Sequence, residues 1–128
     1  VQASILNLLS KLNQEKKIAY LFISHDLQVV GYLSQRVLVM YLGRVVEEGK
    51  TEQVMEKPRH PYTKALLAAS EGRGVKIEGE PPNPAQIPSG CPFHPRCAFA
   101  EERCRMEKQI LSNDRTDWKV ACWKWDRL

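Results

Sequence analysis

The last third of this chain limits its folding options more than any other part, because all four cysteines fall there. Cys91, Cys97, Cys104 and Cys122 form the pattern C-x5-C-x6-C-x17-C. Prolines and glycines crowd the approach, in GEPPNPAQIPSG from Gly79 to Gly90. Phe93, Phe99, Trp118, Trp123 and Trp125 sit between and after the sulfurs. So short a lobe buries too little apolar surface to hold itself together, which calls for a cross-link. Four thiolates around one metal centre supply one, and so do two disulfides.

The spacing separates these options only in part. Zinc fingers and ribbons use C-x2-4-C knuckles, and none is present, so the open gaps suit an iron–sulfur cluster at least as well as zinc. Pro92 and Pro95 stiffen the loop between Cys91 and Cys97, and the aromatics can shield a cluster from water. His94, inside that loop, is a ligand in reserve. Paired or simply buried cysteines remain the alternative. The opening VQASILNLL has no basic leader and no cleavage pattern. The expected compartment is therefore cytosolic, where structural disulfides are rare, and this shifts the weight toward a metal.

The 128 residues suffice for one modest domain, or for a truncated domain plus a small lobe. The longest apolar stretches, Ile18 to Ile23 and Val37 to Leu42, are far too short to span a bilayer. The net charge of +4 is mild, and its basic residues are scattered, so nucleic acid is not indicated as a partner. A chain that begins with valine inside a helical pattern leads one to expect a preceding part.

Ile5, Leu8, Leu9 and Leu12 recur at helical spacing and predict an amphipathic helix over Gln2 to Asn13. IAYLFI, from Ile18 to Ile23, predicts a strand buried on both faces. Ser24, His25 and Asp26 follow at its C-terminal end, where open α/β sheets place ligands. Ser24 or Asp26 caps the next helix, Leu27 to Leu33. Arg36 to Tyr41 and Val45 to Glu48 predict a hairpin turning at Leu42-Gly43-Arg44. Thr51 caps a short helix ended by Pro58, and Pro61 opens another over Tyr62 to Ala69. His60, set between prolines, is expected to pack or cap. Val75 to Ile77 predicts a brief strand. The boundary between main layer and tail falls near Gly72 to Gly74.

His25 is the candidate reactive side chain: an imidazole at the exit of a buried strand can donate a hydrogen bond to a phosphate oxygen. A purely loop-tying histidine is the plainer alternative. Neither G-x-x-x-x-G-K nor G-x-G-x-x-G occurs, so a phosphate-binding loop is not part of this sequence.

LFISHDLQVVGYLSQRVLVMYLGRVVEEG, from Leu21 to Gly49, resembles the end of an ABC-transporter ATPase domain. HPYTKALLAA (His60 to Ala69), SGCPFHPRCAFA (Ser89 to Ala100) and VACW (Val120 to Trp123) resemble the C-terminal extension of oligopeptide and dipeptide importer ATPases. The resemblance implies an α/β fold: the C-terminal fragment of a P-loop NTPase with a short edge hairpin, followed by a small cysteine-rich metal- or cluster-binding lobe. The expected divisions are 1–71 for the ATPase portion, 72–90 for a linker and 91–128 for the extension. It assigns His25 the switch-histidine contact to the ATP γ-phosphate. It gives Cys91, Cys97, Cys104 and Cys122 to a 4Fe–4S cluster, with zinc as the alternative; Trp123 stands where the family often has histidine. Walker A, glutamine loop, signature, Walker B and D-loop would precede Val1, so the fragment alone is expected to be inactive. ATP and Mg²⁺ are the implied cofactors of the full subunit. Its implied partners are transmembrane permease subunits and a second ATPase subunit at the cytoplasmic face of the membrane. The rival function is a non-catalytic, metal-stabilised regulatory or docking module. Either way, an uncovered Ile18–Ile23 run predicts self-association.

Overall fold

The apolar alternation of Arg36–Tyr41 becomes the first strand of the chain. In the computed structural model, which describes residues 2–74, 76–113 and 115–128, β1 (Arg36–Tyr41) turns into β2 (Arg44–Lys50) through Leu42 and Gly43. Both turn residues have positive φ, 46° and 75°. Two left-handed central positions give the turn whose twist matches that of paired strands, and glycine supplies one of them without steric cost.

Alternation in β1 buries Val37, Val39 and Tyr41 and leaves Leu38 and Met40 outside. β2 breaks the alternation. Val39 pairs with Glu47 and Met40 with Val45, so Val46 is an extra residue and the pair carries a bulge there. The bulge turns two successive side chains inward, and Val46 and Glu47 are both buried.

The sheet has four antiparallel strands in the order β1-β2-β4-β3. β3 (Ser112–Asn113) and β4 (Lys119–Val120) come from the cysteine-rich tail. β4 pairs with β2 through Glu47↔Val120 and Glu48↔Lys119, and the Ala121 N–H donates to the Val46 carbonyl at 2.8 Å. One core forms across the joint: Val30, Val37, Val39, Tyr41, Val46 and Val54 pack with Cys91, Phe93, Cys104 and Trp118.

Four helices lie close to their expected places, and a fifth, between Cys97 and Cys122, is unexpected. They are α1 (Gln2–Lys16), α2 (Leu27–Leu33), α3 (Thr51–Glu56), α4 (Pro61–Ser70) and α5 (Glu102–Met106). The Thr51 side chain does not cap α3. Its hydroxyl instead meets Ser34 Oγ at 3.0 Å, while its N–H donates to the Gln35 carbonyl. Val75 of the expected brief strand lies outside the described residues, and 76–77 form no strand.

Two expectations need correction. Ile18–Ile23 is neither a strand nor buried: Leu21 and Ile23 are 89% and 90% exposed. A strand needs a neighbour for its backbone polar groups, and the described sheet offers this run none. The tail is not a lobe held by a metal or cluster either. Among the described residues no group of three or more His, Cys, Asp or Glu side chains could hold a metal ion. Strand pairing with the hairpin and a shared apolar core hold it instead. No helix among the described residues is long and apolar enough to cross a membrane.

Candidate functional site

Two places carry chemistry. The first is the Ser24-His25-Asp26 turn. The Asp26 carboxylate accepts the backbone N–H groups of Gln28 (3.0 Å) and Val29 (3.3 Å), capping α2. Ser24 Oγ accepts the Asp26 N–H at 3.0 Å. The two flanking side chains thus bind the backbone, while His25 between them stands exposed at a bend. The neighbours are spent on local structure and the imidazole is left available. Of the two capping candidates, Asp26 takes the role.

The second is the cysteine cavity. Gly90 makes its wall possible. With φ of +66°, it lets the loop lie so close to α5 that an added Cβ would sit 2.3 Å from the Cys104 carbonyl oxygen. The Cys91 N–H donates to that same oxygen at 2.8 Å. Cys91, Cys97, Cys104 and Cys122 are all free thiols, and all four line one small cavity with His60, Phe93, His94 and Gln109. Cys91 and Cys104 are buried, while Cys97 and Cys122 are half-buried.

The sequence therefore correctly brings the four cysteines together, but not around a metal. The cavity has about 20 Å³, room for little more than one water. Among the described residues no group of three or more His, Cys, Asp or Glu side chains could hold a metal ion, and this finding counts against cluster and zinc alike. The 4Fe–4S cluster and zinc are accordingly withdrawn as cofactors. Burial raises the pKa of Cys91 and Cys97, and pushes Cys122 up to about 11. The His94 ring is engaged elsewhere, its Nδ1 lying 2.9 Å from the Cys91 carbonyl.

His60 caps and packs, as its setting between prolines suggested. Its Nδ1 accepts the Tyr62 N–H at 3.1 Å at the start of α4. The ring also bonds to the Ala121 backbone, which partly offsets the burial that lowers its pKa to about 4.

The polar centre missed by sequence reasoning is Glu47. Its side chain is fully buried, and one carboxylate gathers three donors from two distant segments. Oε1 accepts the Arg59 N–H and the Trp118 Nε1–H, both at 2.9 Å, and Oε2 accepts the His60 N–H at 2.9 Å. Above it, the Arg59 guanidinium carbon lies 3.8 Å from the Trp118 ring centre and 4.2 Å from that of Trp125. This clamp ties β2, the turn before α4 and the tail together. The available signal was the pair Glu47-Glu48 in a strand, where alternation sends one acid inward; only the bulge decides which.

Comparison with known proteins follows the same segments. Residues 46–104 match the family described as "Oligopeptide/dipeptide transporter, C-terminal region". The chain is 46% identical over 134 residues to the "Dipeptide transport ATP-binding protein DppF" of Haemophilus influenzae, covering 98% of this chain and 41% of that protein. It is 54% identical over 129 residues to the "Probable peptide ABC transporter ATP-binding protein y4tS" of Sinorhizobium fredii, with 95% and 36% covered. The "Oligopeptide transport ATP-binding protein OppF" of Haemophilus influenzae is 40% identical over 133 residues, with 97% and 40% covered. The chain thus spans about two fifths of the length of these relatives.

Proposed function

Because the chain belongs to the ATP-binding proteins of oligopeptide and dipeptide ABC transporters, we propose that it is the C-terminal part of an ATP-hydrolysing subunit that powers peptide import. The carrying observation is the combination of that similarity with an exposed His25 held between two backbone-bound neighbours. The imidazole there donates one hydrogen bond to a terminal phosphate oxygen and fixes the phosphoryl group for in-line attack by water. The loop that cradles the phosphates and the carboxylate that orients water are absent from these 128 residues. This chain contributes position and charge stabilisation, not the nucleophile.

In this reading 1–71 end the ATPase domain, 72–90 link, and 91–128 form an extension that braces the hairpin. The partners are transmembrane permease subunits and a second ATPase subunit at the cytoplasmic face of the membrane. The docking-module alternative loses its metal but keeps its brace, and it gives His25 no role. The two readings part on one experiment. In the full-length subunit assembled with its permease, His25→Ala is expected to lower kcat for ATP hydrolysis about 100-fold or more, with little change in KM. Unchanged kcat would overturn the assignment of His25.

A further inference from the structure

An exposed side chain acts on a ligand with precision only where its backbone is held. The His25 ring takes no part in the bonds that shape its own turn. Its place is set from both sides. Before it, the Ser24 hydroxyl accepts the Asp26 N–H at 3.0 Å and closes a turn with His25 at the tip. After it, the half-buried Asp26 carboxylate accepts the Gln28 and Val29 N–H groups at 3.0 and 3.3 Å. Asp26 itself keeps extended backbone, so His25 stands just outside the helix. The helix behind it is anchored. Val29 and Val30 are buried, and Val30 belongs to the core shared with the tail. The Ser34 hydroxyl, just past the far end of α2, donates to the Val30 carbonyl at 2.6 Å and meets Thr51 Oγ1 at 3.0 Å. The Tyr32 hydroxyl donates to Asn7 Oδ1 on α1 at 2.6 Å. A fixed helix thus carries the turn, and Asp26 is the joint between them.

We propose that Asp26 is a positioning residue for His25, acting through the helix N–H groups it accepts and not through its charge. This rests on the reading of His25 as a donor to a terminal phosphate oxygen. One carboxylate oxygen, Oδ1, takes both N–H bonds. A neutral side chain with a single carbonyl oxygen in that place meets the same demand. Among the described residues no ion pair draws on the Asp26 charge. Without the cap, the first turn of α2 loses the acceptor for two of its free N–H groups and frays. The imidazole then samples many places instead of one, and the donor is misplaced when the phosphoryl group moves. That loss falls on kcat, because one exposed ring adds little to the binding of the ground state.

The test measures ATP hydrolysis by the full-length subunit assembled with its permease. Asp26→Ala should lower kcat about 10-fold and leave KM within about 2-fold. Asp26→Asn should recover most of that loss, since asparagine caps helices as well as aspartate does. Asp26→Glu keeps the charge but moves the carboxylate one methylene away from the N–H groups, and should stay slow. With His25→Ala already in place, Asp26→Ala should lower kcat by less than about 2-fold more, because nothing is left to position. Wild-type kcat in Asp26→Ala, Asp26→Asn slower than Asp26→Glu, or a full second loss in the His25→Ala background would each overturn the proposal. The Asn and Glu pair decides the matter even if Asp26→Ala folds poorly. Wild-type kcat in His25→Ala would sink the reading of His25 itself. A slow His25→Ala beside an unaffected Asp26→Ala would sink only the positioning role.

Discussion

Two apolar runs of this chain look alike and end differently. Ile18–Ile23 and Val37–Leu42 are the longest apolar stretches, both rich in β-branched or aromatic residues. The second becomes β1 and buries Val37, Val39 and Tyr41. The first is exposed and pairs with nothing in the described sheet. Apolar character is shared; the partner is not. Val37–Tyr41 has a return strand two residues away across a turn with the right backbone twist. It also has a cover drawn from the tail, from Phe93 and Trp118. A strand is thus a property of a pair of segments, and composition states only half of it.

The packed side is the one to break first. Trp118→Ala removes an indole, its bond to Glu47 and the surface under Arg59. It should cost about 3–5 kcal/mol in chemical denaturation, enough to consume a large share of the stability of an ordinary domain. A loss under about 1 kcal/mol would mean that the tail braces nothing.

A gentler probe of the same side is pH. The folded-state pKa of His60 is lowered from 6.5 to about 4, chiefly by burial. The unfolded chain therefore takes up the proton first as pH falls. This contribution to stability is fully present above about pH 6.5 and is lost progressively down to about pH 4, by about 3 kcal/mol in all. Thermal melts between pH 7 and pH 4 should show the slope, and His60→Gln should flatten it. An unchanged slope in the variant would place the titrating group elsewhere.

The smallest effect belongs to the unpaired side. Leu21→Lys with Ile23→Lys should change unfolding free energy by no more than about 0.5 kcal/mol, as for surface positions. It should also reduce self-association in sedimentation, because an exposed apolar run is lost. A large loss of stability would show that the run is covered after all, and would erase the contrast with Val37–Tyr41.

Local chemistry was legible where it acts over few residues. The hairpin at Leu42-Gly43, a cap within Ser24–Asp26 and Pro61 at the start of α4 all follow from nearby residues. Turns, caps and proline geometry depend on two to four neighbours, which the chain order supplies. The metal centre did not follow, because spacing in the chain does not set how the side chains are placed relative to one another.

The sequence by itself thus determined the hairpin, a cap within Ser24–Asp26, Pro61 at the start of α4, and the family likeness from Leu21 to Trp123, while the buried strand expected just before His25 did not form. Only the tertiary structure decided that Val46 bulges and turns Glu47 inward. It alone decided that Glu47 then collects donors from Arg59, His60 and Trp118, that the tail strand joins the hairpin, and that the four cysteines line one small cavity. The physical reason is range. Caps and turns are settled within one stretch of backbone, whereas a buried carboxylate is tolerated only where donors far away in sequence arrive to satisfy it.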